Sequence, residues 1–226
     1  MDIPIVINSF NRLTYLRRVV DFFAKRNHKL IILDNNSTYE PLLDWYKTSG
    51  IEVLYLKENY GHKAIWVNDF HKKLGEYYVY TDPDILPTEA FPNNWMEYFV
   101  ELLKKNYKDD PVKIGCALMY KDIPAHYELR NWVVCAESKF WNEQIDPNIY
   151  RAPVDTTLAL YKQTRKLPRA RRALRVAGDY IARHLPWYED TSKLTEEQTY
   201  YLQSIKSDPS WSWNEKMWKE KGIRRG

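Results

Sequence analysis

The strongest constraint on the fold is a strict alternation of short apolar runs with longer amphipathic stretches between residues 3 and 84. Ile3 to Ile7, Leu30 to Leu33 and Tyr77 to Tyr80 read as buried strands, and Glu52 to Leu56 as a further strand. Between them, Asn11 to Lys25 carries Leu13, Leu16, Val20 and Phe23 at helical spacing. Pro41 to Thr48 reads as a second helix with Gly50 just past its end, and Lys63 to Lys73 as a third. Strand and helix in this order predict a single globular α/β unit, with a mixed, mostly parallel sheet flanked by helices on both faces. Ligands of such sheets bind outside the carboxyl ends of the strands. Asn8-Ser9-Phe10, Asp34-Asn35-Asn36 and Asp82-Pro83-Asp84 all fall at such ends, so the pattern predicts one polar edge carrying one site.

The remainder of the chain changes character. Trp95 to Lys105 reads as a helix, Lys113 to Met119 and Trp132 to Ala136 as strands, and Thr157 to Tyr161 as a further strand. Leu194 to Ser204 reads as a helix whose start, Thr195-Glu196-Glu197-Gln198, has the capping-box pattern. No repeat or linker divides the chain. No apolar run approaches the roughly 20 residues that cross a bilayer. The sequence enters its first strand without a signal-like segment, which predicts a soluble, cytoplasmic protein. Cys116 and Cys135 lack metal or redox spacing and read as buried free thiols. A net charge of +4, with no recognisable binding module, gives no reason to expect nucleic acid as a partner.

Asp82 and Asp84 carry the chemistry. Two carboxylates one residue apart, after a buried strand, offer hard oxygen ligands to a divalent cation. Asp-Pro and Pro-Asp are also turn dipeptides, so a capping turn is the competing reading of these residues alone.

Four elements in order resemble the GT-A glycosyltransferases, especially the family-2-like group: Ile5 to Arg12 followed by Tyr15-Leu16, Ile31 to Thr38, Asn59 to Ala64 around Gly61, and Asp82-Pro83-Asp84 as the DxD element. The resemblance covers roughly residues 3–90 and thins afterwards. The Gln-x-x-Arg-Trp element of processive synthases is missing, which argues against a polymer synthase. The resemblance implies a Rossmann-like GT-A fold, with a nucleotide-sugar-binding half over residues 1–90 and an acceptor-binding half over 91–226. It also implies transfer of a hexosyl or deoxyhexosyl group from a nucleoside-diphosphate sugar, of UDP type, to a glycan or glycolipid acceptor.

On this resemblance, Asp84 binds Mn²⁺ or Mg²⁺, Asp82 meets the ribose or a metal-bound water, and His184 supplies a distant further metal ligand. Arg183 beside it would pair with phosphate. Asn8, Ser9 and Phe10 approach base and ribose, and Asp34 accepts from the base or ribose. Arg12, Gly61, His62 and Lys63 line the phosphates or the donor sugar, solvated side chains being the alternative for Arg12 and Lys63. A base is needed on the acceptor side if configuration inverts. Asp155 is the first candidate, with Glu137, Glu143 and Glu189 behind it. The basic segment Arg165 to Arg175 reads as a solvated loop, then as a lid over the diphosphate, then as a contact to anionic lipid that would associate the protein with a membrane. An inactive nucleotide- or glycan-binding protein of the same fold is the alternative function. A nucleotidyltransferase is disfavoured by the lack of glycine in Asn8 to Arg12.

Overall fold

The computed structural model describes residues 2–205 except 68, 106, 108–109, 164–171 and 191. The elements alternate as the sequence predicts: β1 (Ile5–Ser9), α1 (Leu13–Ala24), β2 (Leu30–Asp34), α2 (Glu40–Thr48) and β3 (Glu52–Tyr55). Next come the one-turn helix α3 (Ala64–Val67), β4 (Tyr77–Thr81), β5 (Ile85–Pro87), α4 (Trp95–Lys104), β6 (Lys113–Leu118) and α5 (Arg130–Ser138). The hairpin β7 (Gln144–Asp146) and β8 (Ile149–Arg151), then β9 (Ala159–Lys162), β10 (Ala173–His184) and α6 (Glu196–Ser204) complete the order.

One sheet runs through both halves in the order β3-β2-β1-β4-β9-β6-β10-β8-β7, with β5 on the far part of β10. β1 to β4 are mutually parallel, β6 is parallel to β10, and β9 runs antiparallel between β4 and β6. Alternation along β1 divides the core. Ile5 and Ile7 face Leu16, Val19, Phe23, Leu42 and Trp95 from α1, α2 and α4, while Val6 faces Ala64 and Ile65 from α3. Each fully buried Leu, Ile or Phe contributes about 1.5–3 kcal/mol of transfer free energy. Helices therefore cover both faces.

Several local expectations are corrected. Trp132 to Ala136 lies inside α5 rather than in a strand. Its valines suggest a strand, but Val133 and Glu137 are the residues it buries, four apart on one helical face. The expected helix Lys63 to Lys73 is broken into α3 between two 3-10 turns, Gly61–Lys63 and Phe70–Lys73, with Asp69 left-handed at φ 53°. Both cysteines are free thiols, but only Cys116 is buried and Cys135 is exposed on α5. Among the described residues no helix is long and apolar enough to cross a membrane.

Topology determines what meets at the carboxyl edge. Because β9 is antiparallel to β4, with Ala159 opposite Tyr80, the residues just before β9 lie where β4 ends. This places Asp155 and Thr156 beside Asp82. Because β10 is antiparallel to β5, with His184 opposite Ile85, the end of β10 returns to Asp84. The Leu185 amide donates to the Asp84 carbonyl at 2.9 Å.

Candidate active site

A cleft of about 800 Å³ lies along the carboxyl edge. Asn8, Phe10, Arg12, Gly61, His62, Lys63, Asp82, Asp84 and His184 all line it. The strand pattern predicts the strand-end clusters at this edge, whereas His184 was expected from the resemblance alone. A second cavity of about 500 Å³, near His28 and Lys29, sits where the parallel strands begin. The carboxyl-end rule favours the first.

Asp84 is the electrostatic centre. Its Oδ2 accepts from Arg12 Nη1 at 2.8 Å, and His184 Nε2 stands 3.6 Å away. Burial pushes the Asp84 carboxyl up, but His184 and Arg12 outweigh it and hold the group below the usual range. Asp82 is pushed the other way, by burial first and then by the Asp84 and Asp155 carboxylates; the Thr156 hydroxyl opposes part of this rise. The two buried carboxyls titrate as a pair, with His184 and Arg12 favouring the charge on Asp84. Arg12 lies 3.9 Å over the Tyr201 ring and is buried between it and Asp84.

The donor set suits a hard divalent cation. Asp84 Oδ1 is buried and accepts no hydrogen bond. One carboxylate and one imidazole are a sufficient protein contribution where phosphates and waters complete the shell. Among the described residues no group of three or more His, Cys, Asp or Glu comes together as a self-sufficient cage.

The opposite wall is built from amides. Asn35 Nδ2 donates to Asn8 Oδ1 at 2.7 Å and to the Gly61 carbonyl at 3.0 Å, and Asn35 Oδ1 accepts from the Tyr60 amide at 3.0 Å. Gly61 has φ +61°, which an L side chain resists. The Tyr80 hydroxyl donates to the His62 carbonyl at 3.1 Å, tying this loop to the sheet. The His62 and Lys63 side chains are exposed at the mouth.

Four expected residues do not line the cleft. Asp34 does not face the cleft: its Oδ1 accepts from the Tyr46 hydroxyl and its Oδ2 from the Ser37 amide, each at 2.9 Å. Ser9 is fully buried, with Oγ 2.9 Å from the same Tyr46 hydroxyl. Both shape the loop from behind, and Asn35 and Asn36 take the cleft-facing positions. Asp155 is exposed beside the cleft, near enough to raise the Asp82 carboxyl. Arg183 turns away to Asp122, at 2.7 Å, rather than toward phosphate.

Two of the reserve carboxylates are engaged in ion pairs. Glu137 makes a buried ion pair with Arg175 at 2.7 Å, and Glu143 pairs with Arg151. Glu189 is buried and raised by that burial, with Arg12 and then Gln198 opposing. Of the basic segment, Arg165, Lys166, Arg169 and Arg171 lie outside the described residues. Arg172 pairs with Asp110, and Arg175 belongs to β10 rather than to a solvated loop.

Sequence reading gave no individual role to Asn35 or Thr156 and did not place α6, which it expected as a helix, in the cleft. Tyr201, Ser204 and Ile205 line the cleft. The helix docks through Ser204 Oγ to Asn11 Nδ2 at 3.0 Å and through Glu197 to the Thr14 amide at 3.1 Å. Its capping box was legible, but its destination was not.

Residues 5–154 match the family model described as Glycosyl transferase family 2. The chain belongs to glycosyl transferase family 2. Among solved structures it is similar to the mannosyltransferase PcManGT from Pyrobaculum calidifontis, in complex with GDP-Man and Mn²⁺. The TM-score is 0.50 at 15% identity, over 81% of this chain and 56% of that one. That likeness shows the GT-A fold. The chain thus spans little more than half of that enzyme's length. A cytidylyltransferase from Leptospira borgpetersenii serovar Hardjo-bovis (strain JB197) matches at a TM-score of 0.37 and 9% identity, over 72% of this chain and 60% of that one. No curated protein matches the chain in sequence.

Proposed function

We propose that this family 2 chain transfers a sugar from a nucleoside-diphosphate sugar to a hydroxyl of a glycan or glycolipid. The observation that carries the reading is Asp84 flanked by Arg12 and His184, facing the Asn8–Asn35–Gly61 wall across one cleft. The charge of the leaving diphosphate needs fixed positive groups, and Arg12, buried and oriented, supplies one without reorganising. Asp84 and His184 would hold Mn²⁺ or Mg²⁺, which supplies Lewis-acid stabilisation of the leaving phosphate. Phe10, Asn8 and Asp82 bind base and ribose. Residues 1–90 hold the donor, and the half that follows holds the acceptor. Asp155, exposed on the acceptor side of Asp82, takes the proton of the attacking hydroxyl if configuration inverts.

UDP- and GDP-linked sugars both merit test, the second because the Pyrobaculum calidifontis neighbour was solved with GDP-Man and Mn²⁺. A donor panel with and without Mn²⁺ would be scored by released nucleotide and by anomeric NMR of the product. Metal-dependent transfer that disappears in Asp84→Ala supports the reading. Nucleotide binding with neither transfer nor donor hydrolysis makes the protein a binding module. Unchanged activity in Asp84→Ala removes the metal assignment.

A further inference from the structure

One polar residue at the carboxyl edge is fully buried, does not line the cleft, and has no part in the proposed reaction. Asn11 is 0% exposed and holds a left-handed φ of 50°. Its Oδ1 accepts from the Thr38 amide at 2.7 Å and the Tyr39 amide at 3.0 Å, and its own amide donates to Ser37 Oγ at 3.0 Å. The loop after β1 is thereby tied to the loop after β2. Its Nδ2 donates to Ser204 Oγ on α6 at 3.0 Å. The Ser204 hydroxyl donates its proton to the Tyr201 carbonyl at 2.8 Å, which leaves its oxygen to accept and fixes which way the Asn11 amide faces.

The helix that Asn11 holds is lightly anchored. α6 has nine residues and buries none of its side chains. A helix that short does not hold its shape in water unaided, so its order depends on its capping box and on where it docks. The Tyr200 hydroxyl donates to the Thr38 carbonyl at 2.9 Å, and Glu197 accepts from the Thr14 amide at 3.1 Å and from its hydroxyl at 3.0 Å. Each of these contacts falls between the end of β1 and the first turn of α1, or between β2 and α2. Phe10, Asn36 and Thr38 from those loops line the cleft together with Tyr201 and Ile205. A ligand that fills the cleft meets both the loops and the helical segment.

We propose that Asn11 is a positioning residue that couples α6 to the nucleotide: a nucleoside diphosphate in the cleft and a docked α6 stabilise each other through the Asn11 side chain. The proposal rests on the reading of the cleft as the donor site. A nucleotide held by the two loops keeps Asn11 in place, and Asn11 holds the helix. The helix in turn orders the loops for the nucleotide. Such coupling is reciprocal, so whatever docking adds to nucleotide affinity, the nucleotide adds to docking.

The test uses UDP and GDP, each with Mg²⁺, on the full chain. Hydrogen exchange of the α6 amides is followed with and without saturating nucleotide, and affinity is measured by calorimetry. In the wild-type chain the nucleotide is expected to slow α6 exchange about tenfold. Asn11→Gly accepts the left-handed backbone and loses only the side chain. It is expected to weaken the nucleotide about tenfold and to abolish the slowing. Tyr200→Phe combined with Glu197→Ala loosens the helix at positions that do not line the cleft. That pair is expected to weaken the nucleotide by up to about tenfold, the limit that the coupling sets. No slowing in the wild-type chain overturns the proposal, as does slowing that survives in Asn11→Gly, which would leave Asn11 a merely structural residue. Unchanged affinity in the double variant, once its α6 exchanges faster, also overturns it. Binding of neither nucleotide instead overturns the donor reading of the cleft, and this proposal with it.

Should Asn11→Gly not fold, Ser204→Ala cuts the same bond from the helix side and Ser204→Thr restores it. Loss of the nucleotide-induced slowing in the first and its return in the second support the coupling. The same exchange response in both overturns it.

Discussion

Asp82 and Thr156 are tied to each other twice: the Asp82 amide donates to the Thr156 carbonyl at 3.1 Å, and the Thr156 hydroxyl donates to Asp82 Oδ2. The end of β4 is thereby fixed to the approach to β9. Thr156→Val keeps the shape and the backbone bond but removes the hydroxyl. That hydroxyl favours the ionised form of Asp82, so its loss raises an already raised carboxyl further. Transfer is expected to fall about tenfold, the size of one lost hydrogen bond to a buried charged group, and Thr156→Ser should restore most of it. A carboxyl-carbon NMR titration of Asp82 checks the cause: an unmoved midpoint in Thr156→Val would sever hydroxyl from acid.

Lys113 opens β6 as a buried cation. Its Nζ donates to the Val154 carbonyl, and burial above all lowers its pKa from 10.5 to about 8. The folded state therefore binds fewer protons than the unfolded chain between those values. Stability should rise with pH from about 8 to 10.5, where both states become neutral. Chemical denaturation across that range is expected to show the rise in the wild-type chain and its loss in Lys113→Met. A slope that persists in the variant assigns it to another group.

The Arg175–Glu137 pair anchors the segment before β9 through Pro153. Arg175 Nη1 meets Glu137 at 2.7 Å, its Nε donates to the Pro153 carbonyl at 2.8 Å, and its guanidinium lies 4.2 Å over Phe140. Glu137→Ala leaves that charge buried and unpaired and should cost about 3–5 kcal/mol. Replacing both partners by apolar residues should cost much less. A Glu137→Ala variant that is fully stable yet inactive would return Glu137 to the list of catalytic bases.

The parallel half of the fold was legible because its signals are local: short apolar runs, helical spacing, and polar clusters where strands end. The site was legible to the same extent. Asn8 lies at the end of β1, Arg12 precedes α1, Gly61 opens the turn before α3, and Asp82 and Asp84 lie between β4 and β5. His184 needed the resemblance, because only the β5–β10 pairing brings it to Asp84. Asp34 misled because a carboxylate at a strand end looks free in sequence, whereas Tyr46, twelve residues on, consumes it. Thr156 and Tyr201 carry no pattern of their own. Their positions depend on an antiparallel insertion and on a docked terminal helix, both set by contacts remote in sequence.

Asn35 shows how such a position can be tested. Its amide bridges the Asn8 side chain, the Gly61 carbonyl and the Tyr60 amide, so one side chain aligns the wall that faces Asp84. Asn35→Ala removes these bonds at the surface end of the sheet and leaves the apolar core intact. Global stability should fall by only about 1–2 kcal/mol, while nucleotide affinity should weaken about tenfold, since the wall must then be ordered at the expense of binding. The Tyr60 amide, deprived of its acceptor, should exchange faster in hydrogen-exchange experiments. Weakened binding with Tyr60 protection unchanged would mean that Asn35 touches the ligand directly instead of aligning the loop.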